Sequence, residues 1–199
     1  MKNNISEKGQ AEHLCPFSPM HVKMLDGRLR RFFQNPEKIL KGLISPGMTV
    51  IDIGCGPGTF TRTMAKMAGD KGTVIACDVQ EEMLEFAKTR LEGCDNYSRI
   101  KWHMCNPDSP GLEEGTKAAF ILSFYMVHEV RDMDKFFCEV YEILEPGGRY
   151  LVSEPKFHVS EKDFDLTLKS AENAGFLTDE RPKISMSRSV LLGKKISVK

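Results

Sequence analysis

An acid followed by glycines at alternate positions, Asp52-Ile53-Gly54-Cys55-Gly56-Pro57-Gly58, is the stretch of this sequence best suited to chemistry. Glycines let a ligand come up against backbone where a side chain would hold it off. A dinucleotide turn has the spacing G-x-G-x-x-G and seats a pyrophosphate on a helix N-terminus. Here the glycines fall at 54, 56 and 58, and Asp52 stands two residues before the first. A carboxylate at that point repels a pyrophosphate and attracts an ammonium group. The turn, including Cys55, therefore suits an adenosine ligand that carries an ammonium group and no phosphate, and S-adenosylmethionine (SAM) is such a ligand.

Further along, Asp78 lies twenty residues after Gly58, with Val79 beside it. An acid that closes the second strand of an open α/β sheet reaches the ribose hydroxyls of a cofactor lying across the strand ends. An N-cap role for the helix that follows is the alternative. Met83 is placed to pack on an adenine face or simply in the core. Asn106, after the third strand, is placed to meet the adenine edge or to serve as an ordinary turn residue. Phe124 and Tyr125 end the fourth strand, where they would wall the reacting group or pack conventionally.

Four more polar residues follow two strands: His128 and Glu129 after the fourth, Glu154 and His158 after the fifth. Parallel strands bring those ends to one rim, so topology should gather groups that the sequence keeps apart. Three readings stand side by side. A histidine with a carboxylate partner removes a proton from a hydroxyl, thiol or carbon acid; two histidines with carboxylates hold a divalent metal; or a hydrogen-bonded network fixes a lid. The first makes His128 the general base, oriented by Glu129 or Glu154, and calls for no metal.

The elements that must position these groups alternate. Asn35-Pro36-Glu37 is an N-cap with proline at the first helical position, opening a helix over 37–43. Strands are expected at 49–53, 73–77, 100–104, 118–124 and 150–153, and helices at 59–68, 81–91, 133–144 and 161–174. Such alternation demands a parallel sheet. After the stop at Gly175 come two short apolar runs, 183–186 and 189–192, too close for a crossover helix, so they should form an antiparallel hairpin at the sheet edge.

With 199 residues, 41% of them hydrophobic, the chain has the material for one α/β domain over 13–199. Residues 1–12 are polar and expected to be a disordered tail, and 13–34 to form a helical lid. Equal numbers of acidic and basic residues, 28 of each, leave no general attraction to nucleic acid. The N-terminus has no signal-peptide core and no run reaches membrane-span length, so a cytoplasmic protein is expected. The six cysteines show no paired metal spacing and read as reduced, mostly buried thiols.

The segment from Asp52 to Gly58, then Asp78, then Leu144-Glu145-Pro146-Gly147-Gly148 before the fifth strand, resemble the motifs of class I SAM-dependent methyltransferases. The resemblance covers about residues 35–195. It implies a Rossmann-like α/β sandwich with a seven-stranded sheet in the order 3-2-1-4-5-7-6, antiparallel at β7. It also implies SAM over the glycine turn, a substrate pocket above strands four and five, and a lid before Asn35. Within the class, the segments 124–130 and 154–160 resemble a little-characterised group of small archaeal and bacterial enzymes. The Asn/Asp-Pro-Pro-Tyr turn of amino-methylating enzymes is absent.

The expected function is methyl transfer to a small molecule, with a lipophilic acceptor suggested by the aromatic segment 13–33. Either a monomer or a homodimer fits. The rivals are a NAD-dependent oxidoreductase and a non-catalytic SAM-binding module. Cys15 and His21, in the expected lid, add a metalloid or thiol methyltransferase as a variant.

Overall fold

The structure is a computed structural model and describes residues 34–195. The expected tail, most of the expected lid, Cys15 and His21 lie outside the described residues. The elements begin where side chains satisfy free backbone groups. Helix α1 (Pro36–Ile39) starts at Asn35, whose side chain accepts the N–H groups of Glu37 and Lys38. β1 (Thr49–Ile53) leads through the glycine turn into α2 (Thr59–Ala68). Then come β2 (Thr73–Asp78), α3 (Glu81–Leu91), β3 (Ile100–Met104) and β4 (Ala118–Phe124). A short 3-10 turn at Val127–Glu129 precedes α4 (Met133–Ile143), β5 (Leu144–Pro155), α5 (Glu161–Asn173), β6 (Leu177–Glu180) and β7 (Ser187–Gly193). Asp132 caps α4 and Ser160 caps α5.

The seven strands form one sheet in the order β3-β2-β1-β4-β5-β7-β6, with β1 to β5 parallel and β7 antiparallel to both its neighbours. Strands alternate their side chains between the faces, and each face has its own core. Val50, Phe120, Leu122 and Leu151 meet Phe60, Met64, Ala65 and Leu84 on one side. Ile51, Ile121, Tyr150 and Val152 meet Phe136, Phe137, Phe164 and Leu168 on the other. The strand order turns back between β1 and β4. Their carboxyl ends therefore diverge into a crevice, which is where an α/β sheet binds its ligand.

Three elements differ from the sequence expectation. The run 183–186 is not a strand: Pro182 offers no N–H, the Ile184 N–H turns back to the Pro182 carbonyl, and Met186 has φ 60°. The partner of β7 is instead Leu177–Glu180, exposed along its whole length. β5 begins earlier than expected. Leu144 pairs with Ala118 and Arg149 with Phe120, so the Pro146-Gly147-Gly148 turn is an irregularity within the strand. Helix α1 is one turn long, since Leu40 already has C-cap geometry and Gly42 has φ 77°.

The second core is keyed by aromatic rings. Phe137 is fully buried and meets Phe136 at 5.6 Å, Tyr150 at 6.1 Å and Phe176 at 6.2 Å between centroids. Phe137→Ala should cost about 3–5 kcal/mol in urea unfolding; a loss below about 1 kcal/mol would mean that these rings do not organise the core.

Candidate functional site

Alternation along β1 decides what the glycine turn rests on. Ile51 and Ile53 enter one core, and Asp52 therefore points to the α2 side of the sheet. There, in the first turn of α2, Thr61 donates its hydroxyl to Asp52 Oδ2 at 2.6 Å. Asp52 is only 2% exposed. Burial pushes its carboxyl up to about 7, against the pull of the Thr61 hydrogen bond and with help from the charge of Asp78.

The three glycines differ. A Cβ on Gly54 would stand 2.7 Å from Met126 Cβ, and one on Gly58 2.8 Å from Leu91 Cδ1, so the protein itself closes those spaces. A Cβ on Gly56 would meet nothing within 4 Å, yet its φ of 52° still favours glycine. Gly56 is the point where a ligand can come up to the backbone. Its N–H is held by Asp78 Oδ2 at 2.9 Å, while Asp78 Oδ1 accepts the Gln80 N–H at 3.1 Å. Asp78 thus joins the turn to the start of α3; with the Val79 N–H also bound, three of its four lone pairs are taken and one is left for a ribose hydroxyl. Burial raises its carboxyl, and the N–H bonds from Gln80, Gly56 and Val79 oppose that.

Gly54 and Cys55 both donate their N–H groups to the Cys77 carbonyl at 2.8 Å. The Cys55 side chain is buried in the α2-side core, and burial pushes its thiol well above the ordinary value. Cys55 shapes the turn through its backbone. Met83 is buried at the first turn of α3, and Val79 is half-buried. Asn106 is exposed, pairs through its backbone with Ser109, and lines a cavity of about 280 Å³ with Asp108, Arg131 and Lys135.

Phe124 continues the site towards β5. Its ring lies 4.4 Å from Phe60 of α2 and 4.6 Å from Tyr125, nearly parallel to the latter. Phe157 meets Tyr125 edge-on at 6.5 Å. Tyr125 has φ 66°, a conformation that costs a residue with a side chain on the order of 1–3 kcal/mol and persists only where its surroundings enforce it.

Of the four polar rim residues, two make a close pair. His128 Nδ1 is hydrogen-bonded to Glu154 Oε2, and Glu154 Oε1 accepts the Val127 N–H at 2.9 Å. Glu154 is fully buried, whereas the His128 side chain is 18% exposed. Burial works to lower the imidazole's proton affinity, but the Glu154 hydrogen bond and the charges of Glu154 and Glu129 outweigh it, so the pKa of His128 is raised above 6.5. The ring of His158 stands 4.8 Å from that of His128 and is exposed. Among the described residues no three His, Cys, Asp or Glu side chains are grouped to hold a metal ion. Among the same residues no helix is long and apolar enough to cross a membrane.

The residues present fit SAM on the chain's own geometry. A buried carboxylate held near neutrality gains from a cationic partner, Gly56 leaves the space that a Cβ would fill, and Asp78 has an acceptor site to spare. Sequence reasoning had no signal for Thr61 or Met126. The first acts through a hydroxyl nine residues from its carboxylate, the second by filling the space above Gly54.

Comparison with known proteins agrees with this reading. The profile of a family described as "Methyltransferase domain" matches residues 44–187. Demethylmenaquinone methyltransferase of Tropheryma whipplei is 32% identical over 111 residues, covering 56% of this chain and 43% of that protein. Ubiquinone/menaquinone biosynthesis C-methyltransferase UbiE of Escherichia coli is 30% identical over 108 residues, covering 54% and 43%. The match thus spans under half the length of these relatives. A SAM-dependent methyltransferase of Aquifex aeolicus superposes with a TM-score of 0.77 at 26% identity, over 89% of this chain and 98% of that one.

Fold and site together define a class I SAM-dependent methyltransferase. The chain belongs to the methyltransferase-domain family, with SAM as its cofactor.

The buried acid has a measurable cost. The folded chain holds a proton on Asp52 more tightly than the unfolded one, whose value is 3.8, so stability falls as pH rises from there to about 7. Asp52→Asn should therefore raise Tm at about pH 8, with the gain shrinking towards about pH 4. It should also weaken S-adenosylhomocysteine binding by about tenfold or more, the loss of one charge-assisted hydrogen bond. No gain in Tm, or unchanged affinity, would contradict this account of Asp52.

Proposed function

We propose that the chain methylates a small hydroxylated aromatic acceptor of the quinol type, with His128 as the base that takes the acceptor's proton. The observation that carries the reading is the His128–Glu154 pair at the carboxyl ends of β4 and β5, on the rim that also holds the glycine turn. The quinone-methylating relatives support the acceptor class, as do the rings of Phe124, Tyr125 and Phe157 on the same rim.

SAM, when bound, supplies an electrophilic methyl group whose transfer is an in-line displacement. Asp52 would hold its ammonium group and Asp78 its ribose hydroxyls. Gly56 would lie against it, with Met83, Val79 and Asn106 bordering the adenine. What remains for the protein is to align the nucleophile, exclude water and remove a proton. Glu154 holds the Nδ1 proton of His128, which fixes the tautomer and leaves Nε2 as the acceptor atom. A phenolate, or the ring carbon conjugated with it, is then a stronger nucleophile than the neutral phenol. Glu129 adds negative charge that favours the imidazolium once formed. His158, exposed beside His128, borders the site on its solvent side. Phe124 and Tyr125 form its apolar wall.

His128→Ala should bind S-adenosylhomocysteine as wild type does, yet lose about 100-fold or more in kcat/KM with naphthohydroquinone as acceptor. Because His128 must be neutral to act, and Glu154 raises its pKa, the acid limb of the wild-type profile should lie above pH 6.5 and disappear in the variant. Full turnover by His128→Ala would remove His128 from the chemistry.

A further inference from the structure

The hydroxyl of Tyr125 belongs to a closed circuit of hydrogen bonds joining parts of the chain far apart in sequence. Gln34, only 5% exposed, donates one amide proton to Tyr125 Oη and the other to the Ser185 carbonyl at 3.0 Å. Tyr125 O–H donates to Ser187 Oγ at 2.8 Å, and the Ser187 hydroxyl donates to the Ser185 carbonyl at 3.2 Å. All four protons of the two amide N–H bonds and the two hydroxyls are used in this arrangement.

The circuit surrounds two residues in the left-handed region. Tyr125, directly after β4, has φ 66°, and Met186, directly before β7, has φ 60°. The Met186 carbonyl accepts the Lys156 N–H at 2.9 Å and lies 3.4 Å from Tyr125 Oη. A tyrosine holds such a backbone only where its surroundings over-determine it. On the ring side that role falls to Phe124, and on the hydroxyl side to Gln34 and Ser187.

We propose that Gln34 and Ser187 are positioning residues for methyl transfer, which hold Tyr125 in its strained conformation so that its ring walls the acceptor. The phenol serves as the anchor of that wall. The inference rests on the proposed function for the location of the acceptor and extends it to residues at the root of β7 and before α1. Loss of the circuit lets the backbone after β4 relax, and that shifts the wall relative to His128, three residues on.

The test is a double-mutant cycle of Gln34→Leu and Tyr125→Phe, with steady-state kinetics on naphthohydroquinone and calorimetry of S-adenosylhomocysteine. Each single variant should raise the acceptor KM by about 3- to 10-fold, keep kcat within about twofold, and leave S-adenosylhomocysteine affinity unchanged. The double variant should be no worse than Tyr125→Phe alone, because both remove one interaction. Ser187→Ala should reproduce the KM effect. A kinetically silent Gln34→Leu, or losses that multiply in the double variant, would overturn the inference. So would a Tyr125→Phe defect confined to kcat, which would give the phenol a chemical role. A wild-type protein that neither binds nor methylates naphthohydroquinone refutes the quinol reading itself, and the inference with it. Activity in the wild type with a silent Gln34→Leu refutes the inference alone.

Discussion

A carboxylate buried in the middle of the sheet is the constraint on which this structure turns. Asp52 stands on β1, between β2 and β4, with the hydroxyl and backbone N–H of Thr61 as donors to it. An uncompensated charge there is expensive, and the chain meets that expense by keeping the carboxyl near neutrality at about 7. A globular fold alone has no use for such an acid; a leucine would pack better. On the proposed reading, the cationic end of SAM would be the partner that gives it one. The glycine turn above it, the opening at Gly56 and the bridge from Asp78 to the same turn all border the space that such a ligand would fill.

The other half of the rim repeats the device with a different partner. Glu154 closes β5 as Asp52 nearly closes β1, and it too is buried, but the chain supplies its cation-to-be in His128. The sheet order places one acid on each side of the β1/β4 divide. On this account one buried carboxylate receives the donor's positive charge and the other stabilises the positive charge that a proton leaves on imidazole. Between them runs a ladder of rings, Phe60, Phe124, Tyr125 and Phe157, that links the helix after the glycine turn to the proposed acceptor side.

Much of this was legible in the sequence because the central strands are apolar runs. β1, which runs into Gly54, and β2, which ends on Asp78, are also closed by a glycine and an acid. β6 was illegible for the opposite reason. Leu-Thr-Asp-Glu is exposed throughout, and only its pairing with β7 makes it a strand, so hydrophobic pattern pointed instead to the run after Pro182. In the site, topology alone predicted that the residues after β4 and β5 would meet. It could not say that Glu154 takes His128 while His158 stays exposed, since that depends on side-chain direction. Gln34 was invisible. Its partners Tyr125 and Ser185 lie 91 and 151 residues away, and a lone glutamine carries no pattern.

The central claim, that Asp52 is held ready for a cationic cofactor, is tested most directly by counting protons. Calorimetric titration with S-adenosylhomocysteine in buffers of different ionisation enthalpy reports how many protons binding releases. If the ligand's ammonium group ionises Asp52, wild type should release about half a proton at about pH 7 and nearer one at about pH 6, and Asp52→Asn should lack that release. Binding of S-adenosylhomocysteine by the wild-type chain with no proton exchange at either pH would contradict the claim.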